Sequence, residues 1–529
     1  MMSKCCRFLL MGATTMFRLL SFMVLVEIFQ AVSGAKILMK SPPGGSHILE
    51  QIFLGEELVS RGHEVYMAIG SRYPQKTNIE KRGIKLLTYK VPDDALYGIS
   101  EEGEKMVAEL IFDQTEDKFA ASAKLGSTVV YDDCGYMMAD ESFLKTVRQL
   151  KKFDLAIVEP FMLGPCNMIL PKHFGIPFVS NSGLFIPWNI RLPALPSFAN
   201  FMSAWTDLSD ITFTSRLSNL LTYVAFDTMI SRLAPENNTL LERYAPEYKS
   251  WNDLMRQSEL FLAGRDHHLG APFPSMPNYV SVAGLTTGTP KKLPKDLEDV
   301  AEKSDGIILL SFGSTAYYFP QEVIVKFLEA FAKLNETVFV KFFVPDSVTV
   351  PQNVKVSSWL PQNDILGHPK TKLFITHCGI NGLHETLYNG VPIIGFPLFA
   401  EQHQNAARTR KMGFGLEMKV QDFTSEQLFQ NIQEVLNNPK YRLTIKKASE
   451  VFRDQPMNAR ERGAFWVEHV IKHGGKHLRT LSMDLPLYQF LMLDVFFAIG
   501  IGVIAILILL RIVFKFLYKR FTHTKLKTN

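Results

Sequence analysis

The chain of 529 residues predicts an α/β protein of two domains with parallel sheets facing across a cleft, followed by one membrane-crossing helix. Three observations predict it. A strand, a crossover helix and a second strand fit within ~30 residues near the N-terminus, which is the building unit of a parallel sheet. The same rhythm restarts after a polar stretch at 286–305, TTGTPKKLPKDLEDVAEKSD, which reads as a linker. Near the other end, LMLDVFFAIGIGVIAILILL (491–510) is long enough to span a bilayer.

Length predicts two or three domains, because single cores stop growing near roughly 250–300 residues. A composition 47% hydrophobic and 21% charged suits a globular body with some membrane content. The net charge of +5 is modest, and no basic cluster is interleaved with aromatics, so no nucleic-acid partner is expected.

In chain order, residues 1–34 carry Lys4, Arg7 and Arg18, then the apolar run LLSFMVLV, then AVSG, which predicts a cleaved signal peptide ending at Gly34. The first domain, 35–285, opens with the strand KILM (36–39), the loop SPPGG, a helical pattern over 46–61 and the strand HEVYMAI (63–69). LAIVEPF (155–161) is a buried strand that ends in an acid, and IPFVS (176–180) follows a helical stretch. Residues 183–230 are rich in Phe, Trp, Met, Leu and Pro, which fits irregular core or an adaptable apolar pocket or membrane-facing surface.

The second domain, 286–480, contains GIILLSF (306–312), a helix over 321–334, VFVKFF (338–343), VKVSSWL (354–360), LFIT (373–376), a helix from Gly382 and VPIIGF (391–396). Helical patterns over 425–437 and 440–452 complete it. A transmembrane helix over 489–511 then leads into a basic tail, 512–529; from Arg511 onward the chain carries Arg511, Lys515, Lys519, Arg520, Lys525 and Lys527 and no acid. The positive-inside rule places this tail in the cytosol and the body in the lumen, a single-pass type I arrangement in the lipid bilayer. The last five residues, KLKTN, resemble the dilysine retrieval signal of endoplasmic-reticulum membrane proteins. Asn237 and Asn335 begin glycosylation sequons suited to a lumenal body. Beyond the signal peptide only Cys134, Cys166 and Cys378 remain, and three such widely spaced cysteines predict neither a disulfide framework nor a zinc site.

Polar residues at the ends of buried parallel strands converge on the crevice where ligands bind. In THCGING (376–382), Gly379 and Gly382 admit backbone amides close to a ligand, the next helix presents its positive N-terminus to an anion, and His377 can donate to the same anion. Gly313 and Ser314, in FGST at the end of the first strand of this domain, form a second turn suited to phosphate. Trp359 can stack on a base and Gln362 can read a base edge or a ribose hydroxyl. Glu385 suits ribose hydroxyls, while Glu401 and Gln402 suit those of a sugar. Together they describe a nucleoside diphosphate sugar.

From Trp359 to Gln402 the order WLPQND, FITHxGxNGxxE, GVPIIGFPLF and an acid-Gln pair closely resembles the signature of UDP-glycosyltransferases, specifically the animal membrane-bound UDP-glucuronosyltransferase group. The likeness extends over essentially the whole chain. It implies the GT-B fold, with two Rossmann-like domains, an acceptor site in the first, a UDP-sugar site in the second and a last helix near 455–475 that packs back on the first. It implies Trp359 and Gln362 around uracil and ribose, and Glu385 on the ribose. Ser314, His377, Asn381 and the Gly382 amide would hold the diphosphate, with Glu401 and Gln402 on the sugar.

For catalysis the resemblance points to His47 as the base and Glu159 as the acid that orients it. A hydroxyl is a poor nucleophile near neutral pH, and an imidazole with an ordinary pKa near 6.5 suits the removal of its proton. The positive end of the helix after His47 is expected to favour the neutral ring. The implied reaction is inverting and needs no metal and no cofactor beyond the UDP-sugar co-substrate. Glucuronate is the sugar expected first, with glucose and galactose behind it, and small lipophilic hydroxyl compounds are the expected acceptors in detoxification. A non-catalytic UDP-sugar-binding regulatory partner is the rival from another class, and a homo- or hetero-oligomer is left open. A dehydrogenase is disfavoured because SPPGGSH stands where G-x-G-x-x-G would be needed. Three departures from the family pattern stand out. Cys378 replaces a usual Gly, Glu401 and Glu159 replace commoner Asp residues, and no arginine lies in 273–278.

Overall fold

The computed structural model describes residues 34–525 except 75, 96–100, 113–117, 151, 161–164, 184, 196, 198–211, 234–236, 266, 271, 273 and 315. The expected signal peptide and the end of the tail lie outside the described residues.

Seven parallel strands form the first sheet: β1 (Lys36–Lys40), β2 (Glu64–Gly70), β3 (Lys85–Tyr89), β4 (Leu155–Val158), β5 (Phe178–Ser182), β6 (Phe261–Ala263) and β7 (Tyr279–Ser281), ordered β3-β2-β1-β4-β5-β6-β7. Six more form the second: β8 (Ile307–Ser311), β9 (Thr337–Lys341), β10 (Val354–Val356), β11 (Thr371–Thr376), β12 (Ile393–Gly395) and β13 (Gly415–Glu417), ordered β10-β9-β8-β11-β12-β13. Both orders reverse direction once, between β1 and β4 and between β8 and β11. Such a switch point opens a crevice beyond the carboxyl ends of the two strands, and the residues after these four strands are those singled out above.

Strands covered on both faces read as continuous apolar runs, and β8 shows why. Successive side chains alternate between faces, so Ile308 and Leu310 enter a core with Phe327, Phe331 and Phe396. Ile307 and Leu309 enter another, with Phe339, Leu383 and Phe452. The first sheet has its own core, built on Ile37, Met39, Met67 and Ile157. Ala459, Ala464, Val467 and Val470, from the helix Ala459–His473, join that first core and pack on the helix Gly45–Ser60. Arg61 and His63 clasp Glu468 of the same helix, both at 3.1 Å.

Two readings are corrected. Cys134 and Cys166 form a disulfide, with α-carbons 6.1 Å apart, where the spacing gave no reason to expect one. The helix Lys118–Ala139 and the turn after β4 meet in space although 32 residues separate the cysteines, a tertiary contact that sequence separation conceals. The polar stretch 286–305 is not bare linker, since Lys295–Lys303 is a helix.

Residues 183–230 divide. Ile190, Leu192 and Ala194 are core, whereas the helix Phe213–Leu233 leaves Phe213, Leu217, Leu221 and Val224 exposed. Its Tyr223 ring meets Trp188, and Arg191 nearby donates to the Leu485 carbonyl and lies over the Phe490 ring. Those contacts tie the first domain to the foot of the helix Leu493–Lys525, whose stretch 493–520 is long and apolar enough to cross a membrane.

Candidate active site

His47 occupies the first turn of the helix Gly45–Ser60, directly after β1, and Glu159 follows β4. Because β1 and β4 are neighbours at the switch point, the two side chains meet: His47 Nδ1 lies 2.5 Å from Glu159 Oε1. Glu159 is fully buried and its other oxygen accepts a bond from the Ser41 hydroxyl at 3.1 Å. The Asn167 amide holds the Glu159 carbonyl at 3.0 Å, so both ends of the acid are fixed. His47 keeps a third of its side chain exposed toward the cleft.

Burial works against charge on this ring, but Glu159, then Glu50 and Glu401, outweigh it and raise the pKa to about 9. The helix terminus was expected to favour the neutral ring, and three carboxylates override it because full charges at short range exceed the partial charge of a dipole.

Across the cleft, the helix Ile380–Asn389 begins at Gly379 with no side-chain cap, so its first amides are left for a ligand. His377, at the end of β11, packs its ring edge between Gly313 and Gly379. A methyl on Gly379 would lie 2.4 Å from Nε2, and one on Gly313 would lie 2.9 Å from it. Gly313 also has φ +83°, so two constraints select glycine there. Burial, then the Lys341 ammonium, depress the His377 pKa to about 4, against a smaller pull from the Ser311 backbone. The ring is therefore neutral at physiological pH, and its buried Nδ1 has no hydrogen-bond partner among the described residues. Lys341, which the sequence reading passed over, donates to the Gly313 carbonyl at 2.8 Å and brings a positive charge to the same turn.

The two halves touch at this point. Asn381 donates to the Ser46 carbonyl at 3.3 Å, and a methyl on Gly45 would overlap the Ser314 hydroxyl. On the second domain, Gln362 donates to Glu385 at 2.7 Å, Gly382 lies against the Gln362 amide, and Trp359, three residues before Gln362, is exposed. Burial raises the Glu385 pKa to about 7. Glu401 precedes the helix Gln402–Lys411 and acts electrostatically on His47; burial raises its pKa. Gln402 is buried with its side-chain oxygen bonded to the Leu398 and Phe399 amides, so any bond to a sugar falls to its nitrogen. Cys378 takes φ +64°, which explains why glycine is usual there; the Asn405 amide holds its carbonyl at 3.0 Å. The two sequon residues lie elsewhere in the chain fold, Asn237 opening the helix Asn237–Tyr244 and Asn335 exposed before β9.

A family model described as UDP-glucoronosyl and UDP-glucosyl transferase matches residues 35–528. The chain belongs to this family. Among its relatives in the UDP-glycosyltransferases, human 2-hydroxyacylsphingosine 1-beta-galactosyltransferase is 32% identical over 396 residues, spanning 73% of the chain and 72% of the relative. Mouse UDP-glucuronosyltransferase 1A9 is 30% identical over 513 residues, 94% of each. The fold is GT-B. The kitacinnamycin glycotransferase superposes with a TM-score of 0.56 at 18% identity, covering 83% of the chain and 99% of that protein. The calicheamicin glycosyltransferase CalG4 does so with a TM-score of 0.54 at 17% identity, covering 84% and 99%.

Glu50 was missed from the sequence. It follows His47 by three residues, a spacing that puts both on one helix face, and a lone acid among apolar residues of an amphipathic helix was the available signal. It is 7% exposed, and burial first, then the Glu159 charge, raise its pKa to about 7.

Proposed function

We propose that this UDP-glycosyltransferase moves a sugar from UDP to the hydroxyl of a small lipophilic acceptor, with inversion and without calling on a metal. The observation that carries this reading is the His47–Glu159 pair opposite an uncapped helix start, at two facing switch points. With Nδ1–H donated to Glu159, Nε2 of the neutral ring is left to take the acceptor proton. The acceptor oxygen then forms its bond to the anomeric carbon from the side opposite UDP, and the sugar–oxygen bond to UDP breaks with its electron pair staying on the diphosphate. Glu159 stabilises the imidazolium that results. The leaving charge is met by the first amides of Ile380–Asn389, by His377 as a neutral donor, and by Lys341. Trp359 would stack on uracil, with Gln362 and Glu385 at the ribose, and Glu401 and Gln402 at the sugar.

Glucuronate is the donor sugar that the mouse relative's name favours, and galactose the one that the human relative's name favours. Purified protein incubated with UDP-glucuronate, UDP-glucose or UDP-galactose and a panel of phenols should release UDP only when acceptor is present. A protein that binds UDP yet releases none from any donor would instead be a binding partner.

The exposed apolar face near the foot of the span supports acceptors drawn from a membrane, and a disulfide fits an oxidising lumen. The reading places the enzyme in the endoplasmic-reticulum membrane, body lumenal and tail cytosolic. In intact microsomes protease should then trim the tail and spare the body; a body cut from outside would refute that orientation.

A further inference from the structure

We propose that Lys40 and Asp133 are positioning residues for Glu159, the acid partner of His47. Their buried ion pair and the Cys134–Cys166 bridge close a ring of contacts that keeps the Glu159 carboxylate against the imidazole. Resting on the acid–base reading above, this role adds two residues too deeply buried to touch a substrate.

Lys40 ends β1 and Asp133 lies on the helix Lys118–Ala139, and both are 1% exposed. The ammonium donates to Asp133 Oδ2 at 2.7 Å and to the Ser41 carbonyl at 2.6 Å, and the Tyr89 ring centroid lies 5.6 Å from it. The other Asp133 oxygen accepts from the Tyr89 hydroxyl. Such a pair adds little net stability, because stripping two charges of water costs about what their attraction returns, and apolar replacements of similar volume are often neutral. What an apolar pair cannot supply is direction.

Here the direction leads to Glu159. Its backbone N–H donates to the Lys40 carbonyl at 3.0 Å, and its Oε2 accepts from the Ser41 hydroxyl at 3.1 Å. From the other side, the Asn167 side chain donates to its carbonyl at 3.0 Å. Asn167 follows Cys166, Cys166 is bonded to Cys134, and Cys134 follows Asp133, so the ring is complete. Glu159 Oε1 leaves it to meet His47 Nδ1 at 2.5 Å.

A loosened ring should let Glu159 drift from His47 while the second domain still binds UDP. The charged groups that face His47 are Glu159, Glu50 and Glu401. Arg265, two residues past β6, acts on Tyr223 and Tyr279. Of the three acids only Glu159 belongs to the ring, so the pH dependence of turnover reports how firmly it is held.

The test replaces the ion pair with an apolar one, Lys40→Met together with Asp133→Leu, in the full-length protein. Net charge is unchanged and neither charge is left buried alone. The double variant should melt as wild type does. It should keep wild-type UDP affinity and KM for whichever of UDP-glucuronate, UDP-glucose and UDP-galactose wild type turns over. Its kcat should fall about tenfold to a hundredfold, and the rising limb of kcat/KM should move from about 9 to lower pH. Wild-type kcat with the limb in place overturns the proposal, and so does a fall in kcat matched by lost UDP affinity. If the double variant does not fold, Tyr89→Phe and Ser41→Ala decide, since each removes one hydroxyl of this network and no charge. Both should lower kcat and shift the limb the same way, and wild-type kcat in either overturns the proposal. Failure of wild type to release UDP from any donor would instead overturn the transferase reading, a separate outcome.

Discussion

His47 Nδ1 and Glu159 Oε1 approach to 2.5 Å, joining the first turn after β1 to the end of β4 in a pair whose acid is buried and whose base opens to the cleft. Ser41 fixes the second oxygen of Glu159, so the contact has only one orientation available to it.

Glu159→Gln should lower turnover about a hundredfold to ten-thousandfold, because the ring loses both its orientation and the charge that stabilises its protonated form. The sign of the pH effect follows from the same contact. Burial lowers the His47 pKa and Glu159 is the largest opposing influence, so removing its charge should carry the rising limb of kcat/KM from about 9 toward lower pH. The fold should show the matching linkage in wild type. A pKa raised above 6.5 contributes stability that is complete below 6.5 and is lost as pH rises through 9. A limb that stays in place in Glu159→Gln would show that another group sets it.

His377→Ala and Asn381→Ala should each weaken UDP binding about tenfold to a hundredfold, the worth of one hydrogen bond to a charged group. Because burial and Lys341 hold His377 neutral, its contribution should be constant from pH 6 to 8. Calorimetric titration with UDP checks both. Unchanged affinity in either variant would move the diphosphate away from this helix start.

Cys134→Ala, or reduction of the disulfide, should destabilise the first domain by ~4 kcal/mol, the chain-entropy value for a loop of this size. Thermal unfolding with and without reductant measures it. A melting temperature unmoved by reductant would contradict a closed bridge.

Much of this architecture was legible in the sequence because parallel strands buried on both faces announce themselves as apolar runs. KILM, LAIVEPF, GIILLSF and LFIT became β1, β4, β8 and β11, the four strands that frame the two switch points. The strands passed over, β3, β6, β7 and β13, lie toward the sheet edges, and three of them have only three residues, too short for any period to register. In the site, glycine turns and strand-end polar groups carried their own signal. Glu50, Lys341 and the Cys134–Cys166 bridge did not, because each depends on a partner distant in sequence: Glu159, Gly313 and a cysteine 32 residues away. The raised pKa of His47 leaves no local trace for the same reason, since two of the three acids that raise it come from elsewhere in the chain.

The central claim is that an imidazole of the first domain removes the acceptor proton while the second domain holds the activated sugar. Single-turnover transfer from labelled UDP-sugar by His47→Ala, run beside UDP titration of the same protein, tests it most directly. Transfer should fall about a thousandfold or more while UDP binds as in wild type. Transfer at the wild-type rate, or UDP affinity lost along with it, would contradict the role assigned to His47.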